Sequence, residues 1–127
     1  MKHTRLLLAI AFPLLLLSLF FTTLQTEASP TATFVVNSTV DAVDANPGDG
    51  VCETAVAGQC TLRAAVMEAN ALPGSDSITL PAGIFTLTIP GNDIESEVGD
   101  INITEGLTLT GATTSSTIVD GGAIDRV

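Results

Sequence analysis

Asp41, Asp44, Asn46 and Asp49 fall within nine residues of a glycine-punctuated stretch. Oxygen ligands at such short spacing are what a hard cation selects. Asp44-x-Asn46 begins as a calcium loop does, but Gly48 holds the next ligand position and no Glu closes the set. Ca²⁺ through these four residues is the one cofactor the sequence suggests; the blander reading is a loop of Asx turns held by a disulfide. A second acidic group, Asp93, Glu95, Glu97 and Asp100, contains carboxylate pairs of the kind that hydrolyse glycosides. Charge runs of this sort are usually solvated faces, and a wet loop is the expectation here.

The rest of the catalytic vocabulary is thin. Past the first 28 residues the sequence has no His, Lys, Tyr or Trp, so a Ser or Thr nucleophile lacks its usual activating base. Arg63 and Arg126 are the only cations there, against a full-chain charge of −10. Removing Lys2, Arg5 and Glu27 leaves the remainder more acidic still. Such a surface repels phosphate backbones, which excludes nucleic acid as a partner. It argues equally against anionic lipid and acidic polysaccharide.

The amino terminus sets the compartment. Lys2, His3 and Arg5 precede an apolar run from Leu6 to Phe21, broken by Pro13 and Ser18. Thr26 and Ala28 then place small residues at the −3 and −1 positions of a cut between Ala28 and Ser29. This order predicts a cleavable signal peptide over 1–28. The apolar run is shorter than the ~20 residues that span a bilayer, so no transmembrane anchor is expected after its removal. In an oxidising compartment, Cys52 and Cys60 are expected to form a disulfide. The rival, a two-thiolate metal site, lacks further His or Cys partners.

The elements that must position these residues are short. Thr33 to Val36 predicts a first strand, followed by an acidic loop that ends in Asn46-Pro47-Gly48-Asp49-Gly50. Leu62, Ala65, Val66 and Ala69 recur at helical spacing, with Thr61 as N-cap and Pro73-Gly74 as stop, so a helix is expected from Leu62 to Asn70. Ile78 to Leu80, Phe85 to Ile89, Ile101 to Ile103, Leu107 to Thr110 and Thr117 to Val119 then alternate large apolar with small residues. That is the period of strands with one buried face. Many short strands suit either a sandwich of hairpins or a solenoid. Asn37-Ser38-Thr39 and Asn102-Ile103-Thr104 also match the glycosylation acceptor pattern, most simply as chance.

The stretch Cys60-Thr61-Leu62-Arg63-Ala64-Ala65-Val66-Met67-Glu68-Ala69-Asn70 resembles the motif of CSLREA-domain proteins. The strand and acidic loop before it, and Asp76-Ser77-Ile78-Thr79-Leu80-Pro81-Ala82-Gly83 after it, resemble the family's flanks. The motif positions are Cys60, Leu62, Arg63, Ala65, Ala69 and Asn70. Ala64 departs from the pattern, since the family usually has a carboxylate there, and Arg63 must therefore find another partner, with the acidic loop the candidate. The resemblance implies a bacterial exported protein and a mainly β fold. It favours the solenoid: the start of a right-handed parallel β-helix with a short N-terminal capping α-helix and a disulfide-closed loop. The organisation expected is a signal peptide over 1–28, a cap over 29–77 and first coils over 78–127. Because the pattern stops in mid-repeat, a truncated chain is expected.

The functional expectation is a secreted or cell-surface scaffold of adhesion type, without a catalytic site in this segment, that binds a surface glycan or protein. The alternative is the N-terminal part of a carbohydrate-active β-helix enzyme, a polysaccharide lyase or glycoside hydrolase, whose site lies downstream.

Overall fold

Thr61 opens the helix as the sequence predicts. Its backbone is extended, its Oγ1 accepts the N–H of Ala64 at 3.1 Å, and the same hydroxyl donates to the carbonyl of Ala42 at 2.6 Å. One of the orphan amides of the first turn is thereby satisfied. Helix α1 runs over Leu62–Ala71 and ends at Leu72, before the Pro73-Gly74 stop. These features belong to a computed structural model that describes residues 31–124. The signal peptide, its Ala28–Ser29 cut and Arg126 lie outside the described residues.

Five strands accompany the helix: β1 at Thr33–Val35, β2 at Ser75–Leu80, β3 at Gly83–Thr86, β4 at Gly106–Gly111 and β5 at Thr117–Asp120. All pairings are parallel. They make a three-stranded sheet ordered β1-β2-β4 and a two-stranded sheet of β3 and β5. Register places Phe34, Ile78 and Leu109 in one row, and Phe85 beside Val119 in the other sheet. The inward rows and the helix stripe meet in one cluster of Phe34, Val36, Leu62, Ala65, Val66, Ala69, Ile78, Leu80 and Phe85. The helix is too short to hold itself in water, and this packing is what keeps it folded.

The architecture corrects the expected right-handed parallel β-helix. The sheets hold only three and two strands, neither closes, and no solenoid sheet forms among the described residues. Part of the physical reason lies in residues 87–105. Ile101 to Ile103, expected as a strand, forms none. Asn102 is instead tied on both sides of its backbone: its N–H donates to Ser96 Oγ at 2.9 Å and its carbonyl accepts from Asn70 and Ser96. A backbone taken up by side chains is not free to join a ladder. The strand expected over Phe85 to Ile89 likewise stops at Thr86, and the Thr88 and Ile89 amides go to Asp41. Strand β2 also crosses the boundary drawn at Ser77, and it bonds to β1 on one side and β4 on the other.

Helix α1 departs from the amphipathic expectation too. Every residue from Leu62 to Ala69 is buried, including Arg63 and Glu68. A helix buried on all sides must satisfy its charged groups from within the protein.

Candidate functional site

Those two charged side chains organise the chemistry of the molecule. Arg63 has no exposed surface, and its guanidinium makes four bonds. Nε donates to Asp41 Oδ1 at 2.6 Å and Nη2 to Asp41 Oδ2 at 3.1 Å, a two-pronged pair. Nη1 reaches the carbonyl of Ser96 at 2.8 Å and Nη2 that of Gly99 at 2.9 Å. The expectation that Arg63 pairs within the acidic loop is met by Asp41. The planar fork suits this task, since one group must hold a carboxylate and two carbonyls together.

Asp41 also accepts the N–H groups of Thr88 and Ile89, at 2.6 and 3.1 Å. Burial alone would raise its pKa. Its hydrogen bond from Arg63, the two amides and the Arg63 charge outweigh that and hold the carboxyl below its ordinary value of 3.8. Three segments distant in sequence, the acidic loop, the helix and the 87–99 stretch, thus converge on one ion pair.

Gly99 shows how tight the convergence is. Its φ is +73°, its N–H donates to Ile89 O at 2.8 Å, and a Cβ there would collide with the carbonyl of Gly91. Only glycine fits. Ser96, fully buried at φ +66°, is held in that sparsely populated region by its amide on Asp93 Oδ1 and its hydroxyl bonded to both backbone groups of Asn102.

On another face of the helix Glu68 accepts the N–H of Gly48 at 2.5 Å through Oε2 and that of Gly50 through Oε1. Both glycines have positive φ, +97° and +86°. The two amides, on either side of Asp49, converge as in a nest for an anion, and the anion here is the protein's own carboxylate. The single acidic residue of the helical stretch, together with the Pro47-Gly48-Asp49-Gly50 turn, is the sequence signal that could have found this contact.

The suggested calcium ligands are not brought together. Asp41 is taken by Arg63. Asp44 accepts Asn46 N–H at 2.8 Å and Glu53 N–H at 3.0 Å, and Asp49 accepts Val51 N–H at 2.8 Å. Asn46 meets the other three only through its backbone amide on Asp44, and the described residues contain no group of three acidic, His or Cys side chains able to hold a metal. The loop is the set of Asx turns that was the plainer reading. Its melting curve is expected to be the same in EDTA as in millimolar Ca²⁺, and a clear rise with Ca²⁺ would refute this assignment.

Cys52 and Cys60 are bonded, with Cα atoms 5.2 Å apart. Opening this small loop is expected to cost roughly 2.5 kcal/mol on the chain-entropy account, read as a lower urea midpoint for Cys52→Ser/Cys60→Ser. The remaining motif positions are structural as well. Leu62, Ala65 and Ala69 lie in the core, and Asn70 donates to Asn102 O at 2.7 Å while accepting Thr104 N–H at 3.0 Å. Both glycosylation-pattern amides are engaged, Asn37 with Gly58 O and Cys60 N–H, Asn102 with Asp93 O.

The second acidic group is not a bare solvated run. Asp93 accepts the amides of Ser96 and Val98, each at 2.9 Å, while Glu95 and Glu97 are exposed. An open groove of about 420 Å³ lies beside them, lined by Met67, Asn70, Ile94, Glu95, Glu97 and Thr104 among others. Asn70, its one amide side chain, is already engaged as above. Among the described residues no helix is long and apolar enough to cross a membrane.

Comparison with known proteins finds no matching family model, no matching curated protein and no matching solved structure.

Proposed function

We propose that this chain is an exported, non-catalytic scaffold module of adhesion type that binds a neutral surface glycan or a protein through its three-stranded sheet. The observation that carries the reading is where the charged groups go. Arg63, Asp41, Asp44, Glu68 and Asp93 are all engaged with one another or with backbone, so the groups best suited to chemistry hold loops together.

The outer face of the sheet is the opposite case. Parallel sheets are as a rule covered on both faces. Here Thr33, Ser77 and Thr108 form one outward row, and Val35, Thr79 and Thr110 the next. Apart from half-buried Ser77 these side chains are exposed, and none is charged. Strand β4 has a partner on one side only among the described residues, and such an edge can accept an extended segment. The leader, the disulfide and the acidic surface favour a location outside the cytoplasm.

Expression of the full gene in a bacterial host tests the reading. The expected product is a processed chain beginning at Ser29 in the exported fraction, which binds isolated envelope material and loses that binding in Thr79→Lys and Thr108→Lys. A chain retained unprocessed in the cytoplasm, or one whose binding ignores both lysines, would refute it.

A further inference from the structure

Glu95 and Glu97 stand apart from the acids that hold loops together. Both are exposed; Glu95 accepts only the adjacent Ile94 amide, at 3.2 Å, and Glu97 has no bonding partner among the described residues. The loop that carries them is nonetheless firmly built. Between them Ser96 is fully buried at positive φ, with its carbonyl on Arg63 and its hydroxyl on Asn102. Asp93 ties down the Ser96 and Val98 amides. Strained backbone held this firmly is a device of ligand clamps.

The two carboxylates border the open groove of about 420 Å³, whose wall is otherwise largely apolar. Pro47, Met67 and Ala71 line it, with Ile94, itself 73 % exposed. None of its lining residues belongs to the three-stranded sheet, so the groove is separate from the face considered above.

The chemistry of the wall selects an occupant. Arg63 is the only Lys or Arg among the described residues, and it is wholly buried against Asp41. No positive group of the described surface therefore competes for Glu95 and Glu97. A metal ion would take more oxygen ligands than two, and no third acidic, His or Cys side chain joins them. A sugar ring is commonly held on an aromatic face, and the groove has none. Lys and Arg side chains, by contrast, lay an alkyl stem along apolar surface and keep a charged head in water. We propose that the groove takes a lysine or arginine side chain of a partner polypeptide, its stem against Met67 and Ile94 and its head at Glu95 and Glu97. The net charge of −10 steers such a partner toward the molecule.

The test titrates an end-blocked peptide, one arginine among glycines, into the isotope-labelled protein at low ionic strength. Lysine and citrulline versions run beside it, and the Ile94, Glu95 and Glu97 amide resonances are followed. The arginine and lysine peptides are expected to shift these amides, and citrulline, which keeps the stem without the charge, to bind more weakly. Glu95→Gln and Glu97→Gln should each weaken the arginine peptide roughly two- to fivefold, as loss of an exposed ion pair does. Asp120→Asn removes the same charge from exposed β5 and should weaken it less than Glu97→Gln. No binding, citrulline binding as tightly as arginine, or Asp120→Asn matching Glu97→Gln would overturn the proposal; the last would show mere attraction to an acidic chain. Tighter binding of a glucosamine oligomer than of the arginine peptide would also overturn it and give the groove to an amino sugar.

Discussion

Arg63→Ala is expected to destabilise the protein by about 3–5 kcal/mol, the cost of removing one partner from a buried ion pair. Such a loss is a large share of the 5–15 kcal/mol that holds a typical domain together. Three groups would be stranded: the Asp41 carboxylate, whose side chain is only 2 % exposed, and the carbonyls of Ser96 and Gly99. The 93–102 loop would lose its two Arg63 bonds to the helix and keep that of Asn70 to Asn102. Arg63→Lys is expected to recover only part of the loss, because an ammonium cannot present a fork to Asp41 and still reach both carbonyls. Urea midpoints at unchanged slope check both variants, and full rescue by Lys would show that charge alone matters.

The same pair gives a pH signature. Asp41 titrates lower in the folded chain than its ordinary 3.8, so its contribution is present above that value and is lost as pH falls through the lower folded pKa. In Arg63→Ala the lowering by Arg63 disappears while the desolvation remains, so acid unfolding should begin at higher pH than in the natural chain. Matching acid profiles for the two would contradict the electrostatic role.

Glu68→Ala is the second large effect. It leaves the Gly48 and Gly50 amides without an acceptor behind a fully buried position. Gly48 and Gly50 are exposed residues, so water compensates part of the loss, and a total of about 1–3 kcal/mol is expected. The local reading is hydrogen exchange: protection of the Gly48 and Gly50 amides should collapse while that of Ile78 in β2 falls only with global stability. Glu68→Gln preserves size and one acceptor, and it should fall between Ala and the natural residue. An Ala variant that keeps both amides protected would show the nest holds its shape without the carboxylate.

These two side chains mark the boundary of what the sequence made legible. The N-cap at Thr61, the apolar stripe of Leu62, Ala65, Val66 and Ala69, the Pro-Gly stop and the Cys52–Cys60 pairing all depend on residues within a few positions of each other. Local spacing determines them, and local spacing is what a sequence displays. The acidic loop illustrates the limit. Asp41, Asp44, Asn46 and Asp49 offer the oxygen chemistry of a cation site, and only the folded chain reveals that amides and a guanidinium supply the positive partners.

The sequence by itself determined the short helix, the disulfide loop and the alternation that makes β-strands. Tertiary structure alone decided that those strands form two small open parallel sheets and no solenoid. It also decided that Arg63 bonds across separations of 22, 33 and 36 residues and Glu68 across 20. The physical reason is that a charged side chain accepts any partner of suitable geometry, and burial within one shared core fixes which partner that is.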